Sequence, residues 1–166
     1  MSAAKWFPKS VEGISVADLA YTAGIIDGEG CISISPCDYS RRGQHLRKNY
    51  CMRIFVTTTD AVICPWLQQT FGGAIYAYED KRYGKKAALG TVRRWSLSMK
   101  ASAGFLNAIL PYLKLKKERA ELALQFCELL RGPGGNKPLP EENMVARRTC
   151  YDQMREFNAK RKALAA

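Results

Sequence analysis

Glu29 lies in Asp27-Gly-Glu-Gly30, an acidic turn in a chain short of carboxylates. In its 166 residues, 26 Lys+Arg stand against 15 Asp+Glu, a formal net charge of +11. The one histidine, His45, sits among Arg41, Arg42, Arg47 and Lys48 with no acidic partner in that stretch. A histidine general base or a Ser-His-Asp triad therefore has little support. The six cysteines (Cys31, Cys37, Cys51, Cys64, Cys127 and Cys150) form no CxxC pair, which argues against a zinc finger or knuckle. The start, MSAAKWFPKS, lacks the apolar core of a secretory signal. Thiols in a reducing compartment are thus expected, rather than a disulfide framework. Any catalysis falls to carboxylates, lysines and a metal ion.

The acidic turn needs an element to carry it. Ser15-Val-Ala-Asp18 resembles a capping box with Asp in place of Glu, and it opens a helix running to about Asp27. On that helix Ala20, Ala23, Gly24 and Asp27 recur at intervals of three and four, a stripe of small residues that lets another helix backbone come close. Gly28-Glu29-Gly30 stops the helix. In the strand that follows, Ile32 and Ile34 alternate with Ser33 and Ser35. Met52, Ile54 and Val56 alternate with Cys51, Arg53, Phe55 and Thr57 in a second strand.

Asp60 is placed to cap a helix reaching Phe71, with Pro65 in or near its first turn and Gly72-Gly73 at its end. Ile75 and Ala77 alternate with Tyr76 and Tyr78, and Trp95, Leu97 and Met99 with Arg94, Ser96 and Ser98, a hairpin whose tip holds Tyr83-Gly-Lys-Lys86. Helices are expected at about 101–110 and 114–130, a loop at 132–140, and a polar, basic helix at about 141–163. This is an α+β order, αββαββα, with an antiparallel four-stranded sheet, helices on one face and further C-terminal helices. One domain over 1–166 is expected, with a core at about 15–130 and a helical extension at about 141–163.

Each strand has one apolar and one polar or basic face. The polar face, carrying Ser33, Ser35, Arg53, Thr57, Tyr76, Tyr78, Arg94 and Ser96, is left for a partner, and the net charge makes that partner a polyanion. No apolar run approaches the ~18 residues that span a bilayer, so no membrane role is expected.

Leu19-Ala-Tyr-Thr-Ala-Gly-Ile-Ile-Asp-Gly-Glu-Gly30 resembles the LAGLIDADG motif of homing endonucleases, with Ala23, Gly24, Asp27, Gly28, Glu29 and Gly30 in its characteristic places. Leu110-Pro-Tyr-Leu-Lys-Leu-Lys-Lys-Glu-Arg-Ala120 is similar to the segment that carries the family's active-site lysine. Together with the element order, the resemblance covers about residues 15 to 160. It implies a saddle-like sheet and a site-specific double-strand DNA endonuclease, intron-encoded, that leaves short 3′ overhangs. One copy of the motif implies a homodimer across the motif helix, with Ala20, Ala23, Gly24 and Asp27 at the interface. A two-fold dimer implies a long, near-palindromic duplex target, its half-sites centred about one helical turn (~10 bp) apart.

The resemblance also implies the chemistry. Glu29 binds a divalent metal with the Gly28 carbonyl as a further ligand; Mg²⁺ suits such a site, Mn²⁺ can replace it, and Ca²⁺ binds without supporting cleavage. Asp27 is structural rather than catalytic, capping or bracing the neighbouring subunit's helix. Lys116 matches the active-site lysine that steadies charge on the phosphate. Where some relatives carry a glutamine and a basic residue to order water, this chain has Thr58 and Val62; Thr58 can hydrogen-bond water and Val62 cannot. The exposed strand face reads bases in the major groove, while Arg42, Gln44, Arg47, Lys48 and Arg82 mix base and phosphate contacts. Two other readings use the same fold: a maturase that binds intron RNA, and a DNA-binding regulator without cleavage. The expected setting is intracellular, in bacterial or archaeal cytoplasm or in an organelle (chloroplast or mitochondrion).

Overall fold

Ser15 starts the first helix. Its hydroxyl accepts a bond from the Asp18 backbone N–H (3.1 Å) and donates to the Asp18 carboxylate (2.8 Å), capping α1 (Val16–Gly28). The structure is a computed structural model that describes residues 11–39, 47–79, 91–97, 99–130 and 140–164. After α1 come β1 (Gly30–Tyr39), β2 (Arg47–Thr58), α2 (Ile63–Phe71), β3 (Ala74–Glu79), β4 (Thr91–Leu97), α3 (Met99–Ile109), a 3₁₀ turn (Leu110–Tyr112), α4 (Lys117–Leu129) and α5 (Glu141–Leu164). The αββαββα order is present. The four strands form an open antiparallel sheet in the order β1-β2-β4-β3. The hairpin tip 83–86 lies outside the described residues.

The chain packs as two compact units, residues 1–31 with 53–116 and residues 32–52 with 117–166. In the first, Ile54, Val56, Trp95 and Leu97 turn inward from β2 and β4 to meet Leu67, Phe71, Phe105 and Ile109, all buried. The Trp95 and Phe71 rings meet the Phe105 ring at centroid distances of 5.5 and 5.0 Å. The Trp95 indole N–H donates to Gly72 O (2.8 Å), which ties β4 to the end of α2. Gly73 is required there: its φ is +89°, and a Cβ would stand 2.5 Å from Ser96 O.

β3 departs from the expected alternation, because Ala77 is exposed along with Tyr76 and Tyr78. The strand order puts β3 at the sheet edge, where only β4 flanks it. The helix expected from about 114 starts instead at Lys117, since the backbone of 114–116 is held by Asp27.

The second unit builds its core from β1, the start of β2, α4 and α5: Ile32, Ile34, Met52, Leu122, Phe126 and Met154 are buried. It also overturns one expectation. Cys37 and Cys51 form a disulfide, their Cα atoms 5.9 Å apart, across a separation of 14 residues. The hairpin brings the two within bridging reach, a closeness that cysteine spacing along the sequence does not report. Cys31, Cys64, Cys127 and Cys150 keep their thiols.

Candidate functional site

A helix leaves its last carbonyls without partners, and at the end of α1 a lysine from far along the chain takes them. The Lys116 ammonium donates to Ile26 O, Asp27 O and Gly30 O, each at 2.7 Å, and the side chain is only 2% exposed. Its three N–H groups are spent on these carbonyls. In return the Asp27 carboxylate accepts the backbone N–H groups of Lys114 (2.7 Å), Leu115 (3.1 Å) and Lys116 (2.9 Å). Gly30 makes the close turn possible, because a Cβ there would stand 2.7 Å from Ile26 Cα.

This geometry changes the roles expected of both residues. Lys116 is walled in beneath the turn, where it positions the segment 27–30. Asp27, also buried, spends its carboxylate on three backbone N–H groups of its own chain and so plays a structural part there. The charges are matched to the task, since an ammonium belongs at the negative end of a helix.

Between those anchors Glu29 is exposed at the C-cap of α1, and Gly28 is exposed beside it. Gly28 O is not among the three carbonyls that Lys116 takes. Among the described residues no group of three or more His, Cys, Asp or Glu could hold a metal. One chain thus offers one carboxylate and one nearby carbonyl, both hard oxygen donors at a helix end that attracts cations. That donor set fits a hydrated Mg²⁺ that takes most of its shell from water and phosphate, and it does not fit zinc.

The outward face of α1 is small and apolar. Ala17, Ala20, Tyr21, Gly24 and Gly28 are exposed along it, and a Cβ on Gly24 would meet nothing within 4 Å. Ala23 points the other way and is fully buried, so it belongs to the chain's own core. Of the four residues expected at an interface, Ala20 and Gly24 share this open face.

In the first unit, strand register assembles the polar face. Thr57 pairs with Arg94 and Phe55 with Ser96 across β2–β4, while Tyr76 pairs with Arg94 and Tyr78 with Val92 across β3–β4. Arg53 has the same parity as Phe55 and Thr57, so Arg53, Tyr76, Tyr78, Arg94 and Ser96 come together on one side as expected. At the centre the Arg94 guanidinium lies 4.7 Å over the Phe55 ring and 5.9 Å from that of Tyr78, and its Nε–H donates to Thr57 Oγ1 (3.1 Å). Its terminal nitrogens meet no acceptor among the described residues. Phe55 and Thr57 are therefore the cradle of this arginine: Thr57 is among the residues expected on this face, and Phe55, which is not, shares its parity with Arg53.

Ser33 and Ser35 lie in β1, in the second unit, half-buried, and Ser35 Oγ has no hydrogen-bond partner among the described residues. Arg47 and Lys48 lie in β2, but their side chains, and all of Arg42, Gln44 and Arg82, are outside the described residues. Thr58 Oγ1 accepts the Asp60 N–H (3.0 Å), and Asp60 Oδ1 accepts from Val62 (2.7 Å) and Ile63 (2.9 Å). Thr58 and Asp60 thus build the turn into α2. The Ile63 and Val62 N–H groups hold the Asp60 carboxyl below its usual range, with Arg93 helping. Val62, 70% exposed, supplies only its backbone there.

No family sequence model and no curated protein matches the chain. Among solved structures it is similar to the homing endonuclease I-CvuI in complex with its target in the presence of Ca (TM-score 0.63, 20% identity, 85% of this chain and 82% of that one). It is similar also to the archaeal intron-encoded homing endonuclease I-Vdi141I complexed with DNA (TM-score 0.63, 14% identity, 85% and 84%). A third is the homing endonuclease I-TnaI (TM-score 0.60, 12% identity, 86% and 96%). In element order, sheet and end-to-end extent, the chain has the fold of the LAGLIDADG homing endonucleases.

Proposed function

We propose that the protein is a site-specific double-strand DNA endonuclease that works as a homodimer on a near-palindromic target. The observation that carries this reading is the end of α1. A small-residue face with open space at Gly24 runs directly into Glu29, a carboxylate held outward by the Asp27–Lys116 bracket. Two copies packed along Ala17, Ala20 and Gly24 would set two Glu29 side chains next to each other, where a single chain has one. The relatives in fold support a duplex partner, since I-CvuI and I-Vdi141I are described with DNA, and I-CvuI with Ca or Mg.

In this mechanism Glu29 and the Gly28 carbonyl hold a divalent metal, with Mg²⁺ the expected ion. When bound, the metal supplies charge neutralisation on the phosphate and a water of lowered pKa. Lys116 and Asp27 fix the turn so that Glu29 is in place before DNA arrives, which is preorganisation rather than contact. Arg94 is held flat by Phe55 and Thr57, with its terminal N–H groups left for a guanine edge or a phosphate. Arg53, Tyr76, Tyr78 and Ser96 flank it, and Ser33 and Ser35 with Arg42, Gln44, Arg47, Lys48 and Arg82 extend the contact. Thr58 accepts the Asp60 N–H in the turn into α2 and keeps its hydroxyl hydrogen to donate to water.

The test begins by selecting duplexes that bind the protein from a randomised palindromic library. The selected targets are then incubated with Mg²⁺ and either wild-type or Glu29→Gln protein. Wild type should cut both strands and leave short 3′ overhangs, and Glu29→Gln should bind as tightly without cutting. Tight binding of duplex without cleavage by either protein would favour the regulator, and tight binding of intron RNA alone would favour the maturase.

A further inference from the structure

Arg147 is the one buried arginine among the described residues, 4% exposed, and it stands in α5, outside everything assigned above. One terminal nitrogen donates to Asn49 Oδ1 (3.0 Å) and the other to Leu129 O (2.8 Å) at the end of α4. Both acceptors are uncharged, Nε has no partner among the described residues, and burial pushes the guanidinium's pKa down. A guanidinium kept in such surroundings is a poor way to gain stability. What it offers over an apolar side chain is a rigid two-pronged geometry.

One prong of that geometry holds the end of α4 and the other reaches the start of β2. Asn49 Oδ1, besides accepting from Arg147, accepts the N–H of Tyr50 (2.8 Å), so the amide is fixed from both sides. The Tyr50 ring lies 5.2 Å from that of Tyr151, one helical turn after Arg147. Cys51 is bridged to Cys37, and Met52 Sδ lies 3.8 Å from Cys127 Sγ of α4. Four consecutive residues at the start of β2 are each tied down by their own side chain, two of them to α5. This stretch follows directly on the basic run that ends in Arg47 and Lys48.

We infer that Arg147 and Tyr151 are positioning residues for DNA recognition, acting through Asn49 and Tyr50 on the β1–β2 hairpin without touching DNA. The inference rests on the endonuclease reading. It predicts a change in specificity confined to the base pairs read by that hairpin. Those pairs are identified independently as the ones at which Ser33→Ala and Ser35→Ala lose discrimination; Arg94→Ala marks the pairs read by β3–β4.

The experiment measures binding of full-length wild type, Arg147→Lys and Tyr151→Leu to the selected duplex and to every single base-pair variant of it. Arg147→Lys keeps the charge and loses the fork; it should weaken cognate binding roughly tenfold and flatten preference only at hairpin-read positions. Tyr151→Leu, which alters a half-exposed ring, should flatten the same positions and serves should Arg147→Lys fold poorly. Asn49→Asp combined with Arg147→Lys offers the lysine a carboxylate and should restore preference there. An equal loss at all positions, or an unchanged profile in a folded variant, overturns the inference while leaving cleavage by wild type intact. Failure of wild type to bind duplex at all is instead failure of the endonuclease reading.

Discussion

Asp27 and Lys116 hold each other's backbones: the carboxylate takes the N–H groups of 114–116, and the ammonium takes the carbonyls of 26, 27 and 30. Removing either side strands several buried polar groups. Asp27→Ala should cost about 1–3 kcal/mol for each charge-assisted bond that goes unreplaced, and Tm should fall by about 2–4 °C per kcal/mol. Calorimetry of Asp27→Ala and Lys116→Met would show it. A variant that melts with wild type would mean that the bracket carries no weight.

Gly24→Leu separates folding from pairing. A side chain at Gly24 has open space within the chain, and leucine is a better helix former by about 0.8 kcal/mol. The protomer should therefore melt no lower than wild type at low concentration, while sedimentation velocity shows a monomer where wild type shows a dimer. An unchanged dimer would refute the α1 interface.

Arg94→Lys should keep the charge and lose the stacking on Phe55 and the geometry set by Thr57. The expected effect is relaxed preference at one base pair per half-site, on the order of 1–3 kcal/mol, with little change in Tm because Arg94 lies off the core side of β4. Competition binding against single-site variants decides it; uniform weakening would reduce Arg94 to a phosphate contact.

Acid should act partly through Asp60. Its folded pKa lies below the ordinary 3.8, chiefly through the Ile63 N–H, then that of Val62. Its stabilising effect is thus fully present above the unfolded value and fades as pH falls through the folded one. Between pH 5 and pH 2.5 (about), Asp60→Asn should lose less urea resistance than wild type. Parallel slopes for the two proteins would remove Asp60 from the account.

Thiol reactivity offers a separate check on the two units. Burial pushes the Cys64 and Cys150 thiols up, so little thiolate forms and both should resist alkylation at pH 8 until the protein unfolds. Cys31, half-buried, should react first, and Cys37 and Cys51 only after a reductant is added. Mass spectrometry of the labelled peptides reads this directly. Labelling of Cys37 or Cys51 without reductant would count against the bridge.

The legible and illegible parts of the molecule divide by distance along the chain. The cap at Ser15, the helix stop at Gly28-Glu29-Gly30 and the strand parity that gathers Arg53, Arg94 and Tyr76 are all written within a few residues. The Asp27–Lys116 contact joins positions 89 apart, and nothing in either neighbourhood announces it. Ala23 turns into the core and not outward with Ala20 and Gly24, because a stripe of small residues is wide enough to face both ways. The Cys37–Cys51 bridge needed the hairpin, and the exposure of Ala77 needed the strand order. Arg147 looked like any other arginine of a polar helix until burial distinguished it.

The alternation of β2 and β4 has an evolutionary consequence. Ile54, Val56, Trp95 and Leu97 hold the fold, while Arg53, Thr57, Arg94 and Ser96 sit between them on the other side of the same strands. Point substitutions at the second set can drift without disturbing the first. Under the proposed function, a lineage built on this chain can therefore migrate to new genomic addresses one codon at a time, keeping an intact scaffold at every step.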